Sequence, residues 1–254
     1  MSGNGKRPKG IAIRSREELA GIAKAGRLAG RLRRRLGNLA KPGISTLDLN
    51  RFAERYMREH GAFPAQKGYH GYPYAICTAV NDCVCHGMPD GRRLKEGDLV
   101  TLDFVVELDG WMADTAWTYS VGSVSEAADR LRRAAYRATM NGIAAAAPGK
   151  RIGDIAAAVR DAAGAYGVVS QFGGHGIGRA MHEPPEVPHV GEAGTGTLLK
   201  AGMVITIEPM LTEKESEVYI AEDGWSVMTM DGGWAAQFEH TVAIAPEGPV
   251  ILTL

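Results

Sequence analysis

The chain has little cysteine, no net charge and no long apolar run, and each shortage removes a class of function. Lys plus Arg and Asp plus Glu stand at 29 each, so no global charge draws the protein to nucleic acid or an anionic membrane. No apolar stretch approaches the roughly 20 residues needed to span a bilayer. The opening segment, Met1-Ser2-Gly3-Asn4-Gly5-Lys6-Arg7-Pro8-Lys9-Gly10, lacks the apolar core of a signal peptide. The expectation is a cytoplasmic protein that engages neither DNA nor membrane. The three cysteines, Cys77, Cys83 and Cys85, fall in one stretch whose spacing fits neither a disulfide framework nor a paired C-x-x-C zinc site. They read as reduced, partly buried thiols.

What the chain does have is 254 residues, 45% of them hydrophobic, enough for one large domain or two intimate halves. It also repeats itself. Leu94-Lys95-Glu96-Gly97-Asp98-Leu99-Val100-Thr101-Leu102-Asp103 returns, 105 positions later, as Leu199-Lys200-Ala201-Gly202-Met203-Val204-Ile205-Thr206-Ile207-Glu208. In each copy a Gly turn launches an alternating strand that ends in an acid. Asp and Glu are depleted inside strands, and a buried carboxylate is costly unless compensated. Two acids at equivalent places therefore suggest one shared partner.

The repeat extends upstream. Residues 1–12 form a basic tail expected to be flexible. A helix starts at Ser15, where Ser15-Arg16-Glu17-Glu18 is a capping box and Leu19, Ile22, Ala29, Leu32 and Leu36 form an apolar stripe. Its basic residues, Arg31 and Arg33-Arg34-Arg35, read as a solvated face, with a transient ribosome contact as the functional alternative. Pro42-Gly43 breaks that helix, and a second runs from about Leu47 to His60, stopped by Gly61. Pro148-Gly149, Asp154-Ile155 and Gly167 repeat Pro42-Gly43, Asp48-Leu49 and Gly61 at an offset of 106, after another long helix from Ser125 to Ala146. Gly68-Tyr69-His70-Gly71 and Gly173-Gly174-His175-Gly176 correspond at 105. A period this long marks a duplicated half-domain, with halves at about 13–122 and 123–254. Packed about a pseudo-two-fold axis, they would bring Asp103 and Glu208 together.

Asp109-Gly110 is a strong two-residue hairpin signal. With those two as the loop, Leu108 pairs with Trp111 and Val105 with Asp114, so Asp103 and Asp114 share a face as diagonal neighbours. Val100, Leu102, Phe104 and Val106 occupy the opposite, oily face. The second half adds Glu239 in the strand-like run Gln237-Phe238-Glu239-His240-Thr241-Val242. Four carboxylates then converge. At an effective dielectric of about 20, each like-charge pair about 4 Å apart costs about 4 kcal/mol, so four bare carboxylates could not all stay ionised. Two dications would neutralise them. His175, in a glycine-rich stretch that lets backbone approach a ligand, and His86, in Cys85-His86-Gly87-Met88-Pro89, are candidate site histidines. His182-Glu183 does not open an H-E-x-x-H motif.

Cys85-His86-Gly87-Met88-Pro89, Thr101-Leu102-Asp103, Ala113-Asp114-Thr115, Gly174-His175-Gly176-Ile177-Gly178, Met181-His182-Glu183-Pro184-Pro185, Ile207-Glu208-Pro209-Met210 and Gln237-Phe238-Glu239-His240-Thr241 resemble, in order and spacing, the signature blocks of type I methionine aminopeptidases. The resemblance runs from about residue 13 to the C-terminus. It implies an α/β (α+β) pita-bread fold of two pseudo-two-fold half-domains, with a central antiparallel sheet flanked by helices. It further implies two divalent metals, with Asp103 on one, Asp114 and Glu239 bridging, and His175 and Glu208 completing the other. One nitrogen among carboxylate oxygens suits Fe, Mn or Co at least as well as Zn. Glu208 would shuttle a proton while His86 and His182 orient the peptide and stabilise the oxyanion. Tyr69, Tyr72, Cys77, Met181 and Trp225 would form the methionine pocket, where Gln66 and Met181 depart from the Cys and Phe of many relatives. The implied substrates are nascent polypeptide N-termini whose second residue is small, and the expected state is a monomer. Three rivals remain: a prolidase or Xaa-Pro aminopeptidase, which usually carries a large N-terminal domain; a type II methionine aminopeptidase, which has a long insertion absent between His182 and Glu208; and a non-catalytic scaffold binding RNA or ribosomes through Arg31 to Arg35.

Overall fold

Helix α1 (Arg16–Leu39) begins where the capping box sets it. The Ser15 hydroxyl accepts the Glu18 N–H and the Glu18 carboxylate accepts the Ser15 N–H. The computed structural model describes residues 10–254. The expected basic tail therefore lies, through residue 9, outside the described residues, while the Arg14 N–H already bonds the Gly202 carbonyl at 2.8 Å. Three more helices follow: α2 (Thr46–Glu59), α3 (Glu126–Ala145), capped by Ser125, and α4 (Ile152–Ala163).

Among the described residues every strand ladder is antiparallel. Leu99–Leu108 pairs with Trp111–Ser120 in the register the Asp109-Gly110 turn demands, Leu108 opposite Trp111 and Val105 opposite Asp114. Both turn residues take positive φ, 54° and 72°, as a type I′ turn requires. Leu99–Leu108 also pairs with Cys77–Val80 and Phe63–Pro64. A five-stranded sheet in the second half runs Gly248–Ile251, His240–Ala245, Val204–Ile207, Gly173–Gly176, Glu183–Pro188. Helices α1 and α2 bury Leu28, Leu32, Leu49 and Met57 against Val100, Leu102, Phe104 and Val106, the oily face read from the alternation. In the other half α3 and α4 bury Leu131, Ile155 and Val159 against Ile205, Ile207 and Val242.

Reciprocal threonine clamps join the halves. The Thr118 hydroxyl accepts the Gln237 N–H at 2.9 Å and donates to the Gln237 carbonyl at 2.8 Å. The Thr241 hydroxyl does the same to Asp114, at 2.9 Å each way. One sequence spacing relates Thr118 to Thr241 and Asp114 to Gln237, so the two clamps exchange under the pseudo-two-fold. All four residues are buried, and their backbone groups are satisfied without a regular ladder.

Three local expectations are corrected. Helix α4 stops at Gly164 (φ 66°), not Gly167, which instead opens the two-residue strand Gly167–Val168. Arg33 is not solvated: it is 7% exposed and its guanidinium lies 3.8 Å over the Trp117 ring. Four residues after Ala29 and three before Leu36, it falls on the buried stripe, while Arg31, Arg34 and Arg35 face water. The Gly-His-Gly correspondence does not hold: Gly176 pairs with Ile205 as Val80 pairs with Val100, so the counterpart of Gly173–Gly176 is Cys77–Val80. Gly173–Gly176 is a strand, whereas Tyr69–Gly71 is a 3₁₀ turn with His70 at φ 47°.

Candidate active site

Every residue expected in the metal centre, the proton-transfer machinery or the methionine pocket lines one cleft of about 760 Å³ between the two halves, while Cys83, Cys85 and the arginines of α1 lie outside it. Asp103 projects from the middle of Leu99–Leu108, opposite Cys77 and Ala116. Asp114 shares its face from the next strand. Glu208 follows the last residue of Val204–Ile207, where Pro209, lacking an N–H, interrupts the ladder. Glu239 is not inside a continuous strand. It sits in the break between Ala235–Gln237 and His240–Ala245, its N–H donated to the Ala116 carbonyl across the half-domain boundary at 2.9 Å.

The histidine geometry leaves one nitrogen for the carboxylates. His175 Nδ1 lies 2.9 Å from the Gly176 carbonyl, which can only accept, so Nδ1 carries the proton. In the neutral ring Nε2 is then the lone-pair nitrogen, and it lies 3.6 Å from Glu208 Oε1 and 3.9 Å from Asp114 Oδ2. Ligand atoms of Asp114, His175 and Glu239 all lie within 4.8 Å of one another. Thr206 donates to Glu208 Oε1 at 2.7 Å, and the Glu208 N–H meets His189 Nε2 at 3.1 Å. Gln66 Nε2 is 3.4 Å from Asp103 Oδ1.

The electrostatics are those of crowded, dehydrated acids. Burial pushes Asp103 up to about 7 and Glu208 up to about 8. Asp114 and Glu239 are held well above the ordinary carboxylate range, first by burial and then by the neighbouring acids. Asp114 Oδ1 and Glu239 Oε1 are buried without a hydrogen-bond partner. An oxygen so placed is costly unless something positive meets it.

Around this centre stands a mixed aromatic and histidine wall. The Tyr69 hydroxyl is 2.7 Å from His182 Nδ1, and the His175 and His182 rings meet edge to face at 4.3 Å. His86, at φ 55°, meets Phe172 edge to face at 5.4 Å, and burial lowers its pKa. Tyr72 is 2% exposed, its hydroxyl 3.1 Å from the Ile76 and Gly87 carbonyls and its ring 5.0 Å from Trp225. Cys77 Sγ lies 3.6 Å from Gln66 Nε2, and Met181 is 6% exposed. All three cysteines are free and buried. Phe172, Glu186, Met210 and Thr206 also line or brace the cleft without having been singled out. Of these, only Thr206 carried a signal, since the repeat matches it to Thr101.

The model of metallopeptidase family M24 matches residues 20–246, and the chain belongs to that family. It is 43% identical over 247 residues to methionine aminopeptidase A of Synechocystis sp., covering 96% of this chain and 98% of that one. The crystal structure of methionine aminopeptidase from Rickettsia prowazekii superposes with a TM-score of 0.95 at 39% identity, covering 96% of this chain and all of that one. Prolidase from Pyrococcus furiosus shares the fold less closely, with a TM-score of 0.77 and 25% identity, and the match covers only 65% of that chain. Within the family the chain falls with the type I methionine aminopeptidases, metal-dependent hydrolases of the pita-bread fold. No helix among the described residues is long and apolar enough to cross a membrane.

Proposed function

We propose that the chain removes the initiator methionine from nascent polypeptides whose second residue is small, using two divalent ions held by Asp103, Asp114, His175, Glu208 and Glu239. The observation that carries this reading is the buried convergence of four acids and one imidazole nitrogen, with Asp114 Oδ1 and Glu239 Oε1 unpartnered. Such a donor set fits dications, Fe, Mn or Co as well as Zn. When bound, the ions supply Lewis acidity and lower the pKa of water at the site.

The chain's own residues do the rest. Glu208, fixed by the Thr206 hydroxyl, takes the proton of the attacking water and delivers it to the departing amine. With the Tyr69 hydroxyl donating to Nδ1, His182 carries its proton on Nε2 and offers it to the developing oxyanion. His86, neutral because burial depresses its pKa, orients the peptide. Tyr69, Tyr72, Cys77, Met181 and Trp225 wall the methionine side chain, whose polarizable thioether suits aromatic and sulfur neighbours. The protein acts as a cytoplasmic monomer, and exposed Arg31, Arg34 and Arg35 offer a surface for transient ribosome contact.

The test is release of free methionine from Met-Ala-Ser by metal-stripped protein reloaded separately with Mn, Fe, Co and Zn, beside N-acetyl-Met-Ala-Ser and Leu-Ala-Ser. Metal-dependent cleavage of the first peptide alone supports the assignment. Absence of cleavage despite stoichiometric metal binding refutes it.

A further inference from the structure

The cleft wall carries a carboxylate that neither the proposed metal centre nor the methionine pocket uses. Glu186 lies in Glu183–Pro188, the outermost strand of the five-stranded sheet, and its register partner is His175. Cross-strand partners present their side chains on one face. Glu186 therefore stands beside His175 on the cleft side, yet exposed at the rim. Glu183, three residues earlier on the same strand, is already matched by the Arg14 guanidinium and the Arg179 and Ala180 N–H groups. Glu186 takes part in no ion pair among the described residues, and neither Lys nor Arg lines the cleft. Two dications would balance the charge of Asp103, Asp114, Glu208 and Glu239. The charge of Glu186 would remain.

A peptide seated with its methionine in the pocket must run out past this wall. Its second residue is small, so the first side chain long enough to sense the rim belongs to the third. We propose that Glu186 selects substrates by charge, favouring Lys or Arg at the third residue and disfavouring Asp or Glu there. The inference rests on the peptide-cleft reading above. Rim charges act mainly through solvent, so the effect is a few-fold rather than a switch. Between a basic and an acidic third residue the expected ratio of kcat/KM is about three- to tenfold at low salt, shrinking as salt screens it.

The measurement compares kcat/KM of the metal-loaded enzyme for Met-Ala-Lys-Ser, Met-Ala-Ser-Ser and Met-Ala-Asp-Ser at low and high ionic strength. The expected order is Lys, Ser, Asp. Glu186→Gln should bring the Lys-to-Asp ratio close to one, Glu186→Lys should invert it, and Glu186→Asp should keep part of it. Equal rates for the three peptides in the unmodified enzyme overturn the inference while leaving the aminopeptidase reading intact. A ratio that survives in Glu186→Gln also overturns it and assigns the selectivity to the buried acids. Failure to cleave even Met-Ala-Ser-Ser strikes at the aminopeptidase reading itself.

Discussion

Arg14 and Glu183 form a buried pair that ties the segment before α1 to the loop bearing Met181 and His182, and breaking it should cost both stability and substrate binding. Their side chains are 9% and 3% exposed. Glu183 Oε2 accepts from Arg14 Nη2, while Oε1 accepts the Arg179 and Ala180 N–H groups at 2.8 and 3.0 Å. The Arg14 guanidinium also occupies the space a side chain at Gly178 would need, so any larger residue there would have to displace it. Removing one member of a buried pair typically costs about 3–5 kcal/mol, because the other charge is left without compensation. Two backbone donors stay on Glu183, which puts Arg14→Ala near about 3 kcal/mol. For a chain of this size that is a fall in Tm of about 6–12 °C.

The assay is thermal unfolding of metal-free Arg14→Ala, Glu183→Gln and the double variant, together with the kcat/KM split on Met-Ala-Ser. Because the two side chains share one interaction, the double variant should lose clearly less than the sum of the singles, with a coupling above about 1 kcal/mol. Arg14→Lys, which keeps the charge but not the planar fork, should recover part of the loss. In the assay KM should rise and kcat should fall together, since the displaced loop carries both Met181 of the pocket and His182, the donor to the oxyanion. Additive losses, or a drop in Tm under about 2 °C, would refute the argument that this pair anchors the loop.

Metal-free protein should lose stability between pH 6.5 and 8.5. A carboxylate whose pKa is raised on folding binds its proton more tightly in the native state, so stability falls as pH climbs from the unfolded value toward the folded one, about 7 for Asp103 and about 8 for Glu208. His189 and His240, depressed by burial to about 3, act in the opposite sense but only below about pH 6.5, where unfolded histidine gains its proton. The net loss over this window should be on the order of 2–3 kcal/mol, read as a lower Tm at pH 8.5 and abolished by a saturating divalent ion; a flat profile would refute it. Glu208→Gln with metal still bound should lower kcat by about 10²–10⁴, and normal turnover would remove Glu208 from proton transfer. Met181→Phe should change the preference for Met over Leu substrates, and an unchanged ranking would show that this position is not a selector. Gln66→Cys removes the donor 3.4 Å from Asp103 and empties volume beside Cys77, so ethionine peptides should gain on methionine peptides; an unaltered ratio would detach Gln66 from pocket size.

What could be read in the sequence is what local rules control. The Asp109-Gly110 turn fixes a register, the register puts Asp103 and Asp114 on one face, and the repeat supplies Glu208 as the counterpart of Asp103. What could not be read depends on contacts between distant segments. Arg33 looks solvated when only apolar residues are counted along α1, because its partner is the face of Trp117 on another element. Glu239 reads as part of a strand because nothing nearby marks the break, which exists because its N–H is taken by Ala116 from the other half. Arg14 and Glu183 are 169 positions apart and leave no periodic trace.

The divergence between the two copies explains how a duplicated framework can hold an asymmetric substrate. The elements facing the shared centre stay equivalent: Asp103 with Glu208, Thr118 with Thr241, and the backbones of Asp114 and Gln237 that the threonines hold. Away from that axis the copies part company, and the two Gly-His-Gly stretches are not counterparts: Gly176 pairs with Ile205 as Val80 pairs with Val100, so the strand Gly173–Gly176 matches Cys77–Val80. In the second copy that strand aims His175 Nε2 at Glu208 and Asp114, where the first copy has Ala79. Ahead of Cys77–Val80 the first copy carries a tight turn whose positive-φ residues, Gly68, His70 and Gly71, hold Tyr69 outside any ladder with its hydroxyl at His182. The asymmetry is thus set by unlike side chains on matched, paired strands, His175 against Ala79, and by the separate turn Gly68–Gly71 that presents Tyr69 to His182.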